Sequence, residues 1–339
     1  AGIALKLEGY KAFAAEEKKL NLYNWDTYIG KTTLADFKSA TGIKVKMDLF
    51  ADNDELFSKL REGNPGYDVI VPTSDYVQRM IKANMLMPLD HDKLPNMKNL
   101  FKIYLDSEFD PGRKFSMPYQ TGSMGIGYRT SAVKGTNMAT LKWLYDSDKF
   151  KGRLALQSES TTVLRHAGKY LGFPYNMADK KQIAKAADLI ISQKKNIRAF
   201  APDTGQDMLL AKDVDVAQEW SGDIWQVNKQ DADINYAFPK EGGLWFQDCI
   251  AIPKGAPHPD NAHAFINFIM DAAVAKAITE TIGYSTPNEA AYKMMPDSYK
   301  KNPILWPDSA TRKKFEPTLY LGEENARALD EAWTRVQAG

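Results

Sequence analysis

The sequence predicts an α/β protein of two lobes, and three observations carry that reading. Strand-like alternation and helical spacing take turns: Lys19 to Asn24 alternates polar and apolar residues, Thr33 to Thr41 repeats Leu34, Phe37 and Ala40 at helical spacing, and Ile43 to Leu49 alternates again. A βαβ order of this kind implies a parallel sheet. A length of 339 residues leaves room for two domains. Two breaker-rich stretches, Phe115 to Arg129 and Ala237 to Gly243, interrupt the pattern where a chain would cross between lobes.

Taken in order, Gly42 stands where a left-handed C-terminal cap belongs after the first helix. A helix from Asn53 to Arg61, a turn at Gly63-Asn64-Pro65-Gly66 and the apolar strand Asp68 to Val71, ending at Pro72, form a second unit. The uninterrupted Val69-Ile70-Val71 fits a central strand covered on both faces. A short helix follows from Asp75 to Lys82. Phe115 to Arg129 reads as two extended segments about a Gly/Ser stretch. Beyond it come a strand at Arg153 to Leu156, a helix at Thr161 to Leu171, and an amphipathic helix at Lys180 to Ser192 with Ile183, Ala187, Ile190 and Ile191 on one face. The apolar strand Cys249 to Pro253 and a helix from Pro259 to Met270 complete the pattern.

Composition excludes several classes of function. Lys and Arg total 44 against 43 Asp and Glu, without the single-sign excess that a nucleic acid or an anionic membrane demands, so no nucleic-acid partner is expected. The single cysteine, Cys249, excludes an internal disulfide framework and a cysteine-based zinc cluster. No apolar run approaches the ~20 residues that cross a bilayer. Residues 1–17 read as a tag or disordered arm. Within them Ala12-Phe13-Ala14, before Ala15-Glu16-Glu17-Lys18, resembles the small-residue cleavage site of a secretory signal and points to export.

Enzyme motifs fail on spacing. Gly30-Lys31-Thr32 imitates the end of a phosphate loop, but Trp25 stands where its first glycine is required. Gly122, Gly125 and Gly127 have the wrong spacing for a dinucleotide turn. His91, His166, His258 and His263 form no metal-ligand pattern, and Cys249 sits in an apolar strand as an inert thiol would. No catalytic residue, cofactor or metal is therefore assigned.

An aromatic residue beside a carboxylate does recur, at the ends of elements: Trp25-Asp26-Thr27-Tyr28, Ser74-Asp75-Tyr76, Trp220-Ser221-Gly222-Asp223 and Trp245-Phe246-Gln247-Asp248. The carboxyl ends of strands are where open α/β sheets bind ligands. Ring faces attract an ammonium by ~0.5–2 kcal/mol, and a carboxylate offsets its desolvation. The pattern suits an organic cation, with rings covering the methylenes between its amines.

These segments resemble the periplasmic spermidine/putrescine-binding proteins of bacterial polyamine ABC transporters, from about Leu20 to the C-terminus. The marks are Leu22-Tyr23-Asn24-Trp25 with Tyr28, Thr41-Gly42-Ile43-Lys44-Val45, Tyr67-Asp68-Val69-Ile70-Val71-Pro72, Met117-Pro118-Tyr119, Phe238-Pro239-Lys240-Glu241-Gly242, Ala251-Ile252-Pro253, and Glu280-Thr281-Ile282-Gly283-Tyr284 with Thr286-Pro287-Asn288. The resemblance implies a two-lobed periplasmic-binding-protein (type II) fold. Each lobe would be a mixed, mostly parallel sheet flanked by helices, with the ligand in the interlobe cleft. The lobes are expected at 18–122 with 246–292 and at 123–245 with 293–339.

By position the resemblance implies an aromatic box of Trp25, Tyr28, Trp220, Phe246 and Tyr284. Acids map onto Asp223 and Asp248, with Glu159 the counterpart of a third, and polar contacts onto Thr73 and Asp75. Three departures stand out. Asp26 then Thr27 reverses the usual hydroxyl-then-acid order; Thr162 replaces a glutamate; Asp75 replaces an aromatic or serine. The expectation is a monomeric periplasmic protein that binds a polyamine and delivers it to an ABC permease, or alternatively a sensor that docks on a membrane signalling protein.

Overall fold

The computed structural model describes residues 16–26, 28–202 and 204–339. In chain order the elements are β1 (Lys19–Asn24), α1 (Thr33–Thr41), β2 (Lys44–Leu49), α2 (Asn53–Arg61), β3 (Val69–Ile70), α3 (Ser74–Lys82) and the long β4 (Ser116–Arg129). Then follow α4 (Lys142–Tyr145), β5 (Leu154–Gln157), α5 (Ser160–Tyr170), α6 (Lys180–Gln193), β6 (Ile197–Ala201), α7 (Gly205–Leu210), β7 (Val216–Trp220), α8 (Ser221–Asn228) and β8 (Ile234–Ala237). The last stretch contains β9 (Gly243–Ala251), α9 (Pro259–Ile269), α10 (Ala272–Ile282), α11 (Glu289–Met294), α12 (Asp297–Lys300), α13 (Ser309–Arg312), β10 (Phe315–Glu316) and α14 (Glu323–Ala338). Among the described residues no helix is long and apolar enough to cross a membrane.

The chain divides into two compact units: one runs to Thr121 and resumes over Gln247–Lys300, the other combines Gly122–Phe246 with Lys301–Gly339. In the first unit β1 pairs parallel to both β2 and β3, and β3 meets the last part of β9 antiparallel at Ile70 and Ala251. The central β3 is buried at both of its residues, whereas β2 is the exposed neighbour on the other side of β1. Tyr23, Leu56, Ile70, Val77 and Met80 make one buried cluster, while Phe37 of α1 packs edge-on to Phe265 of α9 at 5.1 Å. Helix α1 ends where Gly42 takes φ 77°, its N–H closing on the Lys38 carbonyl.

In the second unit β5 lies parallel to β6 and β7, and the end of β4 is flanked antiparallel by β7 and β8. Its core joins Val163, Leu164 and Ala167 of α5, Ile183, Ala187 and Ile190 of α6, and Leu329, Ala332 and Val336 of α14. The spacing of the α14 residues is helical, in a segment otherwise rich in charge.

Four expectations are corrected. Phe115 to Arg129 is one strand rather than two segments, because its glycines are packing positions: a Cβ on Gly125 would lie 2.8 Å from the Ala237 carbonyl oxygen, and one on Gly127 would lie 2.5 Å from Ile224 Cδ1. The strand expected from Cys249 begins at Gly243 and is buried along its length, so its first half, Gly243–Gln247, shows none of the alternation that would mark it. Residues 293–300 belong to the first unit, where the Tyr299 hydroxyl donates to the Tyr284 carbonyl at 2.8 Å and accepts from the Thr286 N–H at 3.0 Å. Of the expected arm, 1–15 lie outside the described residues, but Glu16 is anchored: its carboxylate accepts from the N–H groups of Asp260 and Asn261, each at 3.0 Å, in the first turn of α9.

Candidate functional site

In the first unit the carboxyl ends of β1 and β3 lie side by side, since Tyr23 pairs with Ile70 in register. Trp25 leaves the end of β1 and its indole N–H donates to the Val71 carbonyl at 2.8 Å, while its ring lies 4.4 Å from that of Phe50. Trp25 is thereby fixed to the neighbouring strand end. Asp26 is an exposed turn residue, and Thr27 lies outside the described residues.

Tyr28 is the centre of the cluster. Its hydroxyl donates to Asp248 Oδ2 at 2.6 Å, and its ring stands edge-on to Tyr119 at 5.5 Å and to Tyr284 at 5.9 Å. Its carbonyl is clamped twice, by the Tyr119 hydroxyl at 2.7 Å and by Asn24 Nδ2 at 3.0 Å. Tyr284 follows Gly283, whose φ of 80° ends α10. Burial first, and then the charge of Asp248, push the Tyr119 phenol above its ordinary range.

Asp248 is itself only 7% exposed and forms an antiparallel bridge with Thr73. Thr73 caps α3 with extended backbone, but its hydroxyl turns to Asp75 Oδ1 at 2.6 Å instead of to the helix. Thr73 thus links the two acids, through its backbone bridge to Asp248 and its hydroxyl to Asp75. The adjacent Cys249 is fully buried, and burial pushes its thiol up to about 12.

In the second unit the same strand-end logic recurs. Glu159 precedes α5, is exposed, and accepts from the Thr162 hydroxyl at 2.6 Å. The departure at Thr162 therefore supplies a donor that steadies Glu159. Trp220 ends β7 and starts α8, with its ring edge-on to Phe246 at 5.1 Å and 83°. Asp223 lies in the first turn of α8 and accepts from Gln226 Nε2 at 3.4 Å. Asp75, Glu159 and Asp223 all sit at helix N-termini, where a carboxylate offsets the positive end of the helix dipole.

The structure brings Trp25, Tyr28, Thr73, Asp75, Asp248 and Tyr284 together in one unit, and in the other it sets Phe246 of β9 against Trp220 at the end of β7, with Asp223 in the first turn of the helix that follows. Sequence reasoning missed Asn24 and Tyr119, which fix Tyr28, and Glu219, fully buried beside Trp220. The signals were present: Tyr119 lies in the Met117-Pro118-Tyr119 motif, and Glu219 closes the apolar-acidic segment before Trp220. Neither had a visible partner in sequence.

Two α/β units whose strand ends present rings and carboxylates define a protein built to hold a small solute. A family model described as bacterial extracellular solute-binding protein matches residues 32–307, and the chain belongs to that family. It is 32% identical to the putrescine-binding periplasmic protein PotF of Escherichia coli, over 99% of this chain and 96% of that protein. A spermidine/putrescine-binding periplasmic protein of Salmonella typhimurium is also 32% identical, over 99% and 96%. Among solved structures, the spermidine/putrescine ABC transporter substrate-binding protein PotD of Streptococcus pneumoniae superposes with a TM-score of 0.84 at 28% identity, covering 95% of this chain and 99% of that one. The binding protein AgtB of A. tumefaciens, in complex with agropinic acid, shares the fold at 22% identity and a TM-score of 0.74, over 95% and 99%. One fold therefore serves different solutes, and the ligand must be argued from residues.

Proposed function

We propose that this chain is a periplasmic binding protein for a polyamine of the spermidine or putrescine class, which it hands to the permease of an ABC transporter. The observation that carries the reading is Tyr28, flanked by two further tyrosine rings and hydrogen-bonded to the nearly buried Asp248. Rings give an alkylammonium cation–π attraction and apolar cover, and the carboxylate gives it a counter-charge. On this reading the ligand-binding residues are Trp25, Asp26, Thr27, Tyr28, Thr73, Asp75, Glu159, Trp220, Asp223, Phe246, Asp248 and Tyr284. The names of the relatives support the same ligand class and the same compartment.

The protein acts as a carrier and not as an enzyme: it binds as a monomer and releases the amine unchanged. The alternative of a sensor docking on a membrane signalling protein draws no support from the relatives, whose names are those of binding and transport proteins. A thermal-shift screen over diamines, triamines, arginine-derived amines and amino acids tests the reading. A ligand at 100 times its Kd adds ~2.7 kcal/mol, so a flat response to every amine overturns it, as does chemical conversion of the ligand during incubation.

A further inference from the structure

Helix N-termini that follow parallel strands are the usual place for anions, because unpaired N–H groups and the helix dipole put about half a positive charge there. A cation site beside such an end has to reverse that sign. Glu219 stands at this position in the second unit. Its side chain is fully buried, and Oε2 accepts from the N–H of Trp220, the residue that starts α8, at 3.0 Å. Oε1 accepts from Gln157 Nε2 at 3.3 Å, across the parallel ends of β5 and β7. The absence of a side chain at Gly205, where α7 begins, leaves the room: a Cβ there would collide with Glu219 Oε1. The donors in these two contacts, a backbone N–H and a carboxamide, offset part of the carboxylate's desolvation.

Resting on the polyamine reading above, we infer that Glu219 is a specificity-determining residue of the same site. It cancels the positive end of α8 beneath Trp220 and leaves a net negative potential beside that ring, so that an ammonium rather than an anion is favoured there. Asp223, on the first turn of the same helix, adds to this potential, whereas Glu219 acts from below without needing to touch the ligand. Its charge also reaches Tyr236, whose phenol it helps to raise after burial.

The test is calorimetric binding of spermidine and putrescine to E219Q, E219D, D223N and D248N, with the fold checked by near-ultraviolet circular dichroism. The expected result is a loss of tenfold or more in E219Q, with E219D, which keeps the charge but retracts it from both donors, within threefold of the parent. A purely structural cap behaves differently: E219D would lose as much as E219Q. Parent-like binding by E219Q while D223N and D248N weaken overturns the inference and leaves the polyamine reading intact. Parent-like binding by all four overturns both. If E219Q does not fold, E219D alone decides: affinity within threefold supports the role of charge, and a tenfold loss overturns it.

Discussion

The Tyr28 hydroxyl donates to Asp248 at 2.6 Å although 220 residues separate the two in the chain. The bond holds the orientation of the carboxylate. Y28F should keep the ring and lose the donor. A hydrogen bond to a charged group contributes about 1.5–3 kcal/mol, so the unliganded variant should melt at a lower temperature, and calorimetry should register weaker polyamine binding because the carboxylate is no longer held in place.

Loss of the acids themselves should cost more than loss of an exposed acid. D223N and D248N are expected to weaken spermidine binding by about 3 kcal/mol, the scale of removing one partner from a desolvated ion pair. The control is E331Q on the exposed face of α14, expected to change nothing. Glu16 is unsuitable as a control because it caps α9.

Tyr119 acts through Tyr28. Y119F retains the edge-on ring contact but frees the Tyr28 carbonyl from one of its two donors. Losing one donor to a part-buried carbonyl costs about 1 kcal/mol. A three- to tenfold loss of affinity should appear chiefly in the dissociation rate measured by stopped-flow fluorescence, and an unchanged rate would assign Tyr119 to packing alone.

Thr162 steadies Glu159 across one helical turn. T162V removes the hydroxyl at nearly constant volume. Because Glu159 is exposed, the expected loss in spermidine affinity is small, about 0.5–1 kcal/mol. Titration calorimetry at low salt is the suitable measurement.

His166 makes stability depend on pH. Its ring is fully buried, bonded to the Thr162 carbonyl at 2.8 Å, and burial lowers its pKa from 6.5 to about 4. The unfolded chain takes up the proton first as pH falls, so the stability from neutral burial is complete above 6.5 and is lost progressively towards 4. The full loss is roughly 3 kcal/mol. Urea unfolding of the parent and of H166Q at pH 7.5 and 4.5 should show a smaller acid-induced loss in the variant.

Local pattern made much of the fold legible. The run from β1 through α2 was readable because alternation, helical spacing and the Gly42 cap are each decided within a few residues. Segments that escaped did so for a physical reason: β7 carries the buried polar pair Gln218 and Glu219 before its last residue, and β9 is buried along its length, so neither alternates. The candidate site divides in the same way. Trp25, Asp223 and Asp248 announced themselves as acids or rings at element ends, while Asn24, Tyr119 and Gln157 act through partners that only tertiary structure supplies. The Thr73–Asp75 and Thr162–Glu159 pairs are local, yet a hydroxyl two or three residues from an acid is too common to single out in sequence.

The use of hydroxyls as partners for Asp75, Glu159 and Asp248 bears on how a carrier lets go of its cargo. A hydroxyl in such a contact, unlike a lysine, need not be evicted by an arriving amine and does not compete for the acid when the amine leaves. A hydroxyl carries no charge to be expelled and swivels without breaking its bond. Such a contact suits a protein whose task is repeated loading and unloading rather than permanent retention.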